Sequence, residues 1–250
     1  MKSKALRQAV ILLAILVFPS AFYIALTTGR HNFVHLSYIG PRLGVDTIEV
    51  DGRPVVDTIY HSIPDFSLID QDGEEFESSA YGGMVYVADF FFTSCPTICP
   101  AMQQSMLRLQ SRFEEYDDFA LLSFSVDPEH DTSEVLKAYG DDIGVNWDKW
   151  TFLTGPRDSI YDVATRGYFV NAMVDDLAPG GFLHSEYLVL IDKDGHIRSG
   201  IDKRGNPRAV YDGTSDAEVN ELIDDIKVLL AEYRLATKRA EKKRMEHGNN

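Results

Sequence analysis

Apolar positions along the chain fall into three kinds of pattern. The first is a single uncharged run of eighteen residues, 9–26, preceded by Lys2, Lys4 and Arg7. Its length falls within the ~17–25 residues that span a bilayer and exceeds the ~7–15 of a secretory signal core. We read residues 1–30 as an N-terminal transmembrane anchor. A cleaved signal peptide is the alternative, although the residues around Ser20 and Ala21 make a poor cleavage site. The cations precede the run and only Arg30 follows closely, which sets the N-terminus in the cytoplasm and the remainder on the extracytoplasmic, periplasmic side.

The second pattern is period-two alternation. "VDTIEV" and "PVVDTIY" flank Asp51 and Gly52, a two-residue hairpin signal, inside an extended connector over 31–62. The third is an exchange of short apolar runs with amphipathic stretches from Ile63 onward. "DFSLI" leads to a turn at 70–73, and "MVYVADFFF" (84–92) has the continuous apolarity of a central buried strand. Met102, Met106, Leu109 and Phe113 lie at helical spacing in a helix over about 100–116. "FALLSFSV" (119–126) is a second buried strand, and a helix with its start signal at Thr132 runs through Tyr139. "WTFLTG" (150–155) is a third strand, followed by a helix over 157–169. A hairpin of "EYLVLI" (186–191) and "HIRSGI" (196–201) closes the sheet, and a last helix covers about 216–237.

This order implies parallel strands joined by crossovers with an antiparallel hairpin at one side. The expected fold is α/β and thioredoxin-like, with a central mixed sheet flanked by helices, over 63–237. A charged, frayed tail is expected over 238–250.

Charge is divided along the chain. Residues 1–30 hold four cations and no carboxylate, so the rest carries 20 basic against 39 acidic residues, or −19. An acidic domain repels phosphate backbones, which excludes nucleic acid as a partner. The one basic cluster is "KRAEKKR" (238–244).

Both cysteines, Cys95 and Cys99, lie in "FFTSCPTICPAM" (91–102) at the end of the central strand. A bridge closing so short a loop contributes little beside the ~3 kcal/mol of a fifteen-residue loop, so a purely structural disulfide fits poorly. Three intervening residues also differ from the two of thioredoxin-type redox motifs. Pro96 and Pro100 disfavour helical geometry at the preceding cysteines, so the helix is expected to begin at Pro100 with Cys99 near its N-cap. That position favours a thiolate and a lowered pKa. Two thiolates suit Cu(I) or Zn(II), yet a metal needs a third ligand. Among seven histidines, His31, His35 and His247 fall in connector or tail, and His61 and His196 read as surface residues. His130 lies on the correct sheet edge but between Glu129 and Asp131, as in a solvated turn. His184 follows the loop "DDLAPGGFL" and precedes the hairpin strand, a place that ranks it first among the seven.

Taken in order, "TSCPTICPAM", "SFSVDPEHDT", "WTFLTG", "FLHSEYLVLIDKDG" and "YDGT" (211–214) resemble the Sco/SenC family of copper chaperones for cytochrome c oxidase assembly, over about 63–230. The resemblance implies a membrane-anchored thioredoxin-like domain that binds one copper through Cys95, Cys99 and His184. It implies the copper-centre subunit of the oxidase as recipient, with other copper chaperones or thiol reductants as further partners. The family usually has aspartate where this chain has Thr97, which removes a charge near the metal without deleting a ligand. Two thiolates and an imidazole suit Cu(I), Cu(II) would recruit a fourth ligand, and structural zinc normally takes four protein ligands. The alternative is a thiol–disulfide oxidoreductase that keeps the oxidase cysteines reduced by cycling Cys95 and Cys99.

Overall fold

The computed structural model describes residues 15, 17–19, 35–50, 53–174, 182–202 and 204–247. The chain divides into two compact units, residues 1–34 and 35–250. In the first unit the described residues 15 and 17–19 are helical. No helix among the described residues is long and apolar enough to cross a membrane, and most of the 9–26 run lies outside them.

The second unit is built on a mixed sheet. Strands β1 (Ser37–Tyr38), β2 (Arg42–Val50), β3 (Arg53–Tyr60), β4 (Ser67–Asp70), β5 (Glu75–Glu77) and β6 (Val85–Phe91) precede helix α1 (Cys99–Arg112). Strand β7 (Phe119–Ser125), helix α2 (Ser133–Ile143), β8 (Trp150–Thr154) and α3 (Arg157–Asp162) follow. Then come β9 (Ala172–Val174), β10 (Phe182–His184), β11 (Tyr187–Ile191), β12 (Ile197–Ser199), β13 (Tyr211–Asp212) and α4 (Asp216–His247). The sheet runs β1-β12-β11-β6-β7-β8-β4-β5, with β13 paired to β11. Strands β6, β7 and β8 are parallel; β11 lies antiparallel to β6 and β4 antiparallel to β8. This is the mixed sheet that the strand and helix order implied.

All seven residues of β6 and all seven of β7 are buried, as a strand covered on both faces must be. On one face Phe90 stacks on Phe124, and both meet the ring of Tyr168. On the other, Phe91 meets Tyr139 of α2 and Phe152 of β8, while Asp89 receives Gln103 of α1. Helix α2 starts where its cap signal stands: the Thr132 hydroxyl accepts the Val135 N–H, and Gly144 ends the helix in a left-handed conformation.

Several local expectations change. The "connector" does not stand apart from the domain. Leu36 joins the core, β1 pairs with β12, and Ile39 and Ile63 donate backbone hydrogen bonds to Ile197 and Gly195. Strands β2 and β3 form the expected hairpin, paired from Arg42↔Tyr60 to Val50↔Arg53, with the Asp51 and Gly52 turn outside the described residues. The helix after β8 ends at Asp162 and widens into a π-helical turn, Val163–Gly167, which aims the Tyr168 ring into the core. Strand β9 and strand β10 form a small ladder flanking residues 175–181, where only a loop was expected. Helix α4 continues past Thr237 to His247, because residues 231–247 are mostly strong helix formers and no proline or glycine occurs before Gly248.

Arg198 ties the edge together. Its side chain is 3% exposed; it bonds Asp192 at 2.8 Å and the Leu36 carbonyl at 3.0 Å, lies 3.8 Å from Glu232, and stacks on Tyr38. Removing the guanidinium leaves the fully buried Asp192 carboxylate without its cation. Arg198→Ala is therefore expected to lose about 3–5 kcal/mol of unfolding free energy in urea titrations. A loss below about 1 kcal/mol would show that this pair is not buried in the folded state.

Candidate metal centre

The two cysteines sit just beyond the end of β6, a strand buried along its whole length. Beyond Phe91 the chain turns through Phe92 and Thr93, the Cys95 N–H bonds the Phe92 carbonyl at 3.2 Å, and α1 opens at Cys99 itself. The helix thus starts one residue before the expected Pro100. Ile98 is the N-cap, has no capping side chain, and already lies in the helical region. Cys95 is 7% and Cys99 1% exposed, and neither is in a disulfide. The Cys95 sulfur lies 3.7 Å from the Thr97 hydroxyl, so the residue that departs from the family pattern touches the site.

The expected lowering of the thiol pKa is overturned at Cys99. Burial pushes its thiol far above the ordinary range, and a hydrogen bond to the Cys95 thiol and the nearby Asp89 carboxylate push it further. A backbone hydrogen bond at Phe92 opposes this and is outweighed. A helix N-terminus favours the anion, but the hydration the sulfur gives up on burial costs more. Here desolvation wins.

Two buried carboxylates that sequence reasoning did not single out support the loop. Asp131 is fully buried and accepts four hydrogen bonds: Thr93 N–H at 3.0 Å, Thr93 hydroxyl at 2.5 Å, Ser125 hydroxyl at 2.6 Å, and His130 Nδ1 at 3.0 Å. It clamps Thr93, two residues before Cys95, to the end of β7. His130 is engaged there, and this bond raises its pKa. Asp89 lies within β6, also fully buried, and accepts from Ser123 and from Gln103, four residues into α1 from Cys99. Trp150 donates to the same Ser123 hydroxyl at 2.8 Å. The signal for Asp89 was present in the sequence as the one carboxylate inside "MVYVADFFF". Asp131 carried no comparable signal, since its partners come from two other segments.

Other histidines take structural roles. His61 and His196, expected at the surface, are half-buried: His61 Nε2 bonds the Gly167 carbonyl at 2.8 Å and His196 Nδ1 the His61 carbonyl at 2.8 Å. His35 bonds Glu232, His31 lies outside the described residues, and His247 is placed only by its backbone in α4.

His184 is placed by its backbone, opposite Ala172 in the β9 and β10 ladder, and its side chain lies outside the described residues. The register Val189↔Ala88 directs the N-terminal end of β11, three residues beyond His184, to the end of the sheet where the cysteine loop leaves β6. The structure therefore brings Cys95 and Cys99 together and sets the His184 backbone at the same sheet end. Among the described residues, no group of three or more His, Cys, Asp or Glu side chains is arranged to hold a metal ion. Buried, adjacent sulfurs are a soft donor pair that a monovalent copper ion would fit better than a harder cation.

Comparison with known proteins bears on this arrangement. A family model described as SCO1/SenC matches residues 58–217. The chain is 31% identical to a SCO1/SenC family lipoprotein from Bacillus anthracis, with a TM-score of 0.59 over 68% of this chain and 95% of that one. It is 28% identical to BsSco, a member of the Sco family of cytochrome c oxidase assembly proteins in which a disulfide switch is described, with a TM-score of 0.57 over 68% and 93%. It is 25% identical to copper-bound ScoI from Arabidopsis thaliana, with a TM-score of 0.52 over 67% and 99%.

Asp89 makes stability depend on pH. Burial raises its carboxyl to about 7, against about 3.9 for an unfolded aspartate. The folded state then binds the proton more tightly, so this group's contribution falls as pH rises from about 4 to about 7, by up to about 4 kcal/mol. Asp89→Asn removes that titration. Its stability relative to the unaltered chain is expected to be higher at pH 8 than at pH 5 in paired urea titrations, and an equal difference at both pH values would contradict a buried, elevated carboxyl.

Proposed function

The chain belongs to the SCO1/SenC family, and from that premise we propose that it is a copper-binding protein that delivers copper to the binuclear copper centre of cytochrome c oxidase. In this reading Cys95, Cys99 and His184 hold one ion, and the domain is tethered on the extracytoplasmic side of a membrane by the apolar run 9–26. The observation that carries the proposal is the pair of buried cysteines in the loop between β6 and α1. Copper in the Arabidopsis relative, oxidase assembly in the BsSco family and the lipoprotein nature of the Bacillus anthracis relative all support it.

The chemistry favours cargo binding over thiol exchange. Burial raises the Cys99 thiol and makes it a slow attacking thiolate, so in the reductase reading exchange would start at Cys95. A soft cation supplies the positive charge that desolvated thiolates need. Cu(I) is satisfied by two sulfurs and an imidazole, and Cu(II) would draw in another oxygen or nitrogen donor. Oxidation of both thiols to a disulfide, with release of two protons and two electrons, removes both soft ligands, so occupancy and thiol redox state are linked. Transfer then proceeds by ligand exchange, and Cys95, the more exposed sulfur, is the first to meet an acceptor.

Reduced full-length protein is expected to bind about one copper per chain, with binding abolished in Cys95→Ser and Cys99→Ser and weakened at least tenfold in His184→Ala. Full affinity in His184→Ala would sink the three-ligand site. Because Cys99 must lose a tightly held proton, affinity is expected to rise with pH through neutrality, by about tenfold per pH unit for each proton displaced. A pH-independent affinity measured against a competing chelator of known protonation would contradict the raised thiol.

A further inference from the structure

Helix α4 leaves the domain with the opposite charge. Its last buried residues are Leu229 and Leu230, Tyr233 is half-buried, and the described side chains from Ala236 onward are exposed. Residues 235–247 carry five cations, Lys238, Arg239, Lys242, Lys243 and Arg244, against two carboxylates. Residues 31–234 hold 15 basic and 37 acidic residues. The helical residues after Ala236 extend about 17 Å at 1.5 Å per residue, with no core to cover.

The base of this arm is also where the chain enters the domain. His35 Nδ1 lies 3.1 Å from Glu232, and Arg198 joins Glu232 to the Leu36 carbonyl. Only eight residues, 27–34, separate the end of the apolar run from His35, a reach of about 30 Å at full extension. If the run spans a bilayer, the covalent link alone keeps His35 within that distance of its surface.

We propose that the basic arm of α4 docks on the anionic lipid headgroups of the membrane to which the domain is tethered. The inference rests on the tethered reading above. A body with an excess of 22 negative charges is repelled by an anionic surface, whereas the arm is attracted, so the pair of forces orients the domain at the membrane. An acidic protein partner would meet the same repulsion without the tether that keeps the arm near the lipid surface. A tether to the same surface raises the arm's local concentration there through chain connectivity alone.

The test uses the full chain reconstituted in vesicles of phosphatidylcholine alone or with phosphatidylglycerol, and limited trypsin digestion at residues 238–244. Cleavage there is expected to be slowed about tenfold or more by the anionic lipid, with sites in the body unchanged, and the protection to vanish near 1 M salt, where the Debye length is about 3 Å. Equal cleavage on both vesicles overturns the proposal, as does protection on neutral vesicles by added polyglutamate that matches or exceeds the lipid effect. Flotation with neutral vesicles reads the anchor separately. A chain that fails to float there loses the tethered reading, and the arm is then judged by the same digestion with anionic vesicles added: protection supports docking, and none overturns it.

Discussion

Desolvation of the Cys95 and Cys99 sulfurs is the constraint that the surrounding structure serves. Strand β6 is covered on both faces, so the chain that continues from it carries its side chains out of solvent until the sheet ends. Cys95 and Cys99 fall at that boundary, buried yet at an edge. Burial makes the Cys99 thiolate costly, and a helix terminus does not offset the loss of water. On the proposed reading, a soft cation would resolve the conflict by neutralising the sulfurs without rehydrating them.

A loop that must keep two sulfurs adjacent needs support from segments that do not move with it. Asp131 supplies it from beyond β7, with four hydrogen bonds that hold Thr93 to Ser125. Asp89 supplies it from below, joining β6 to Gln103 of α1 and Ser123 of β7. A buried carboxylate with as many donors as Asp131 resists displacement, since any shift leaves lone pairs without donors in a medium that penalises them. The two ends of the cysteine loop are thereby fixed independently, one through Thr93 and the other through α1. Displacement of Cys95 or Cys99 is thereby confined to the loop between these two anchors.

The opposite edge is organised by a different means. Arg198 spans β12, β1 and α4 through Asp192, the Leu36 carbonyl and Glu232, and joins the segment entering the domain to its last helix. What read as a tether in the sequence is for this reason an edge strand with a buried ion pair behind it. Alternation over 45–60 announced the hairpin, but pairing of Ser37 and Tyr38 with β12 depends on residues some 160 positions away.

The sequence alone determined the strands that are apolar throughout, the capped helix after Thr132, the two-residue spacing between β2 and β3, and the position of both cysteines at a strand end, because each follows from local periodicity, capping or turn chemistry. It also carried the motifs of the family. Tertiary structure decided the protonation of Cys99, since a pKa depends on the solvent that distant side chains exclude. It decided that Asp131 holds Thr93 and that His61 and His196 bond backbone carbonyls, because those partners come from separate segments. It also decided that the basic segment after Thr237 is helix, since the packed turns before it start a structure that good helix formers propagate at little cost. Local patterns record what a residue prefers; only the folded chain sets how much water reaches it.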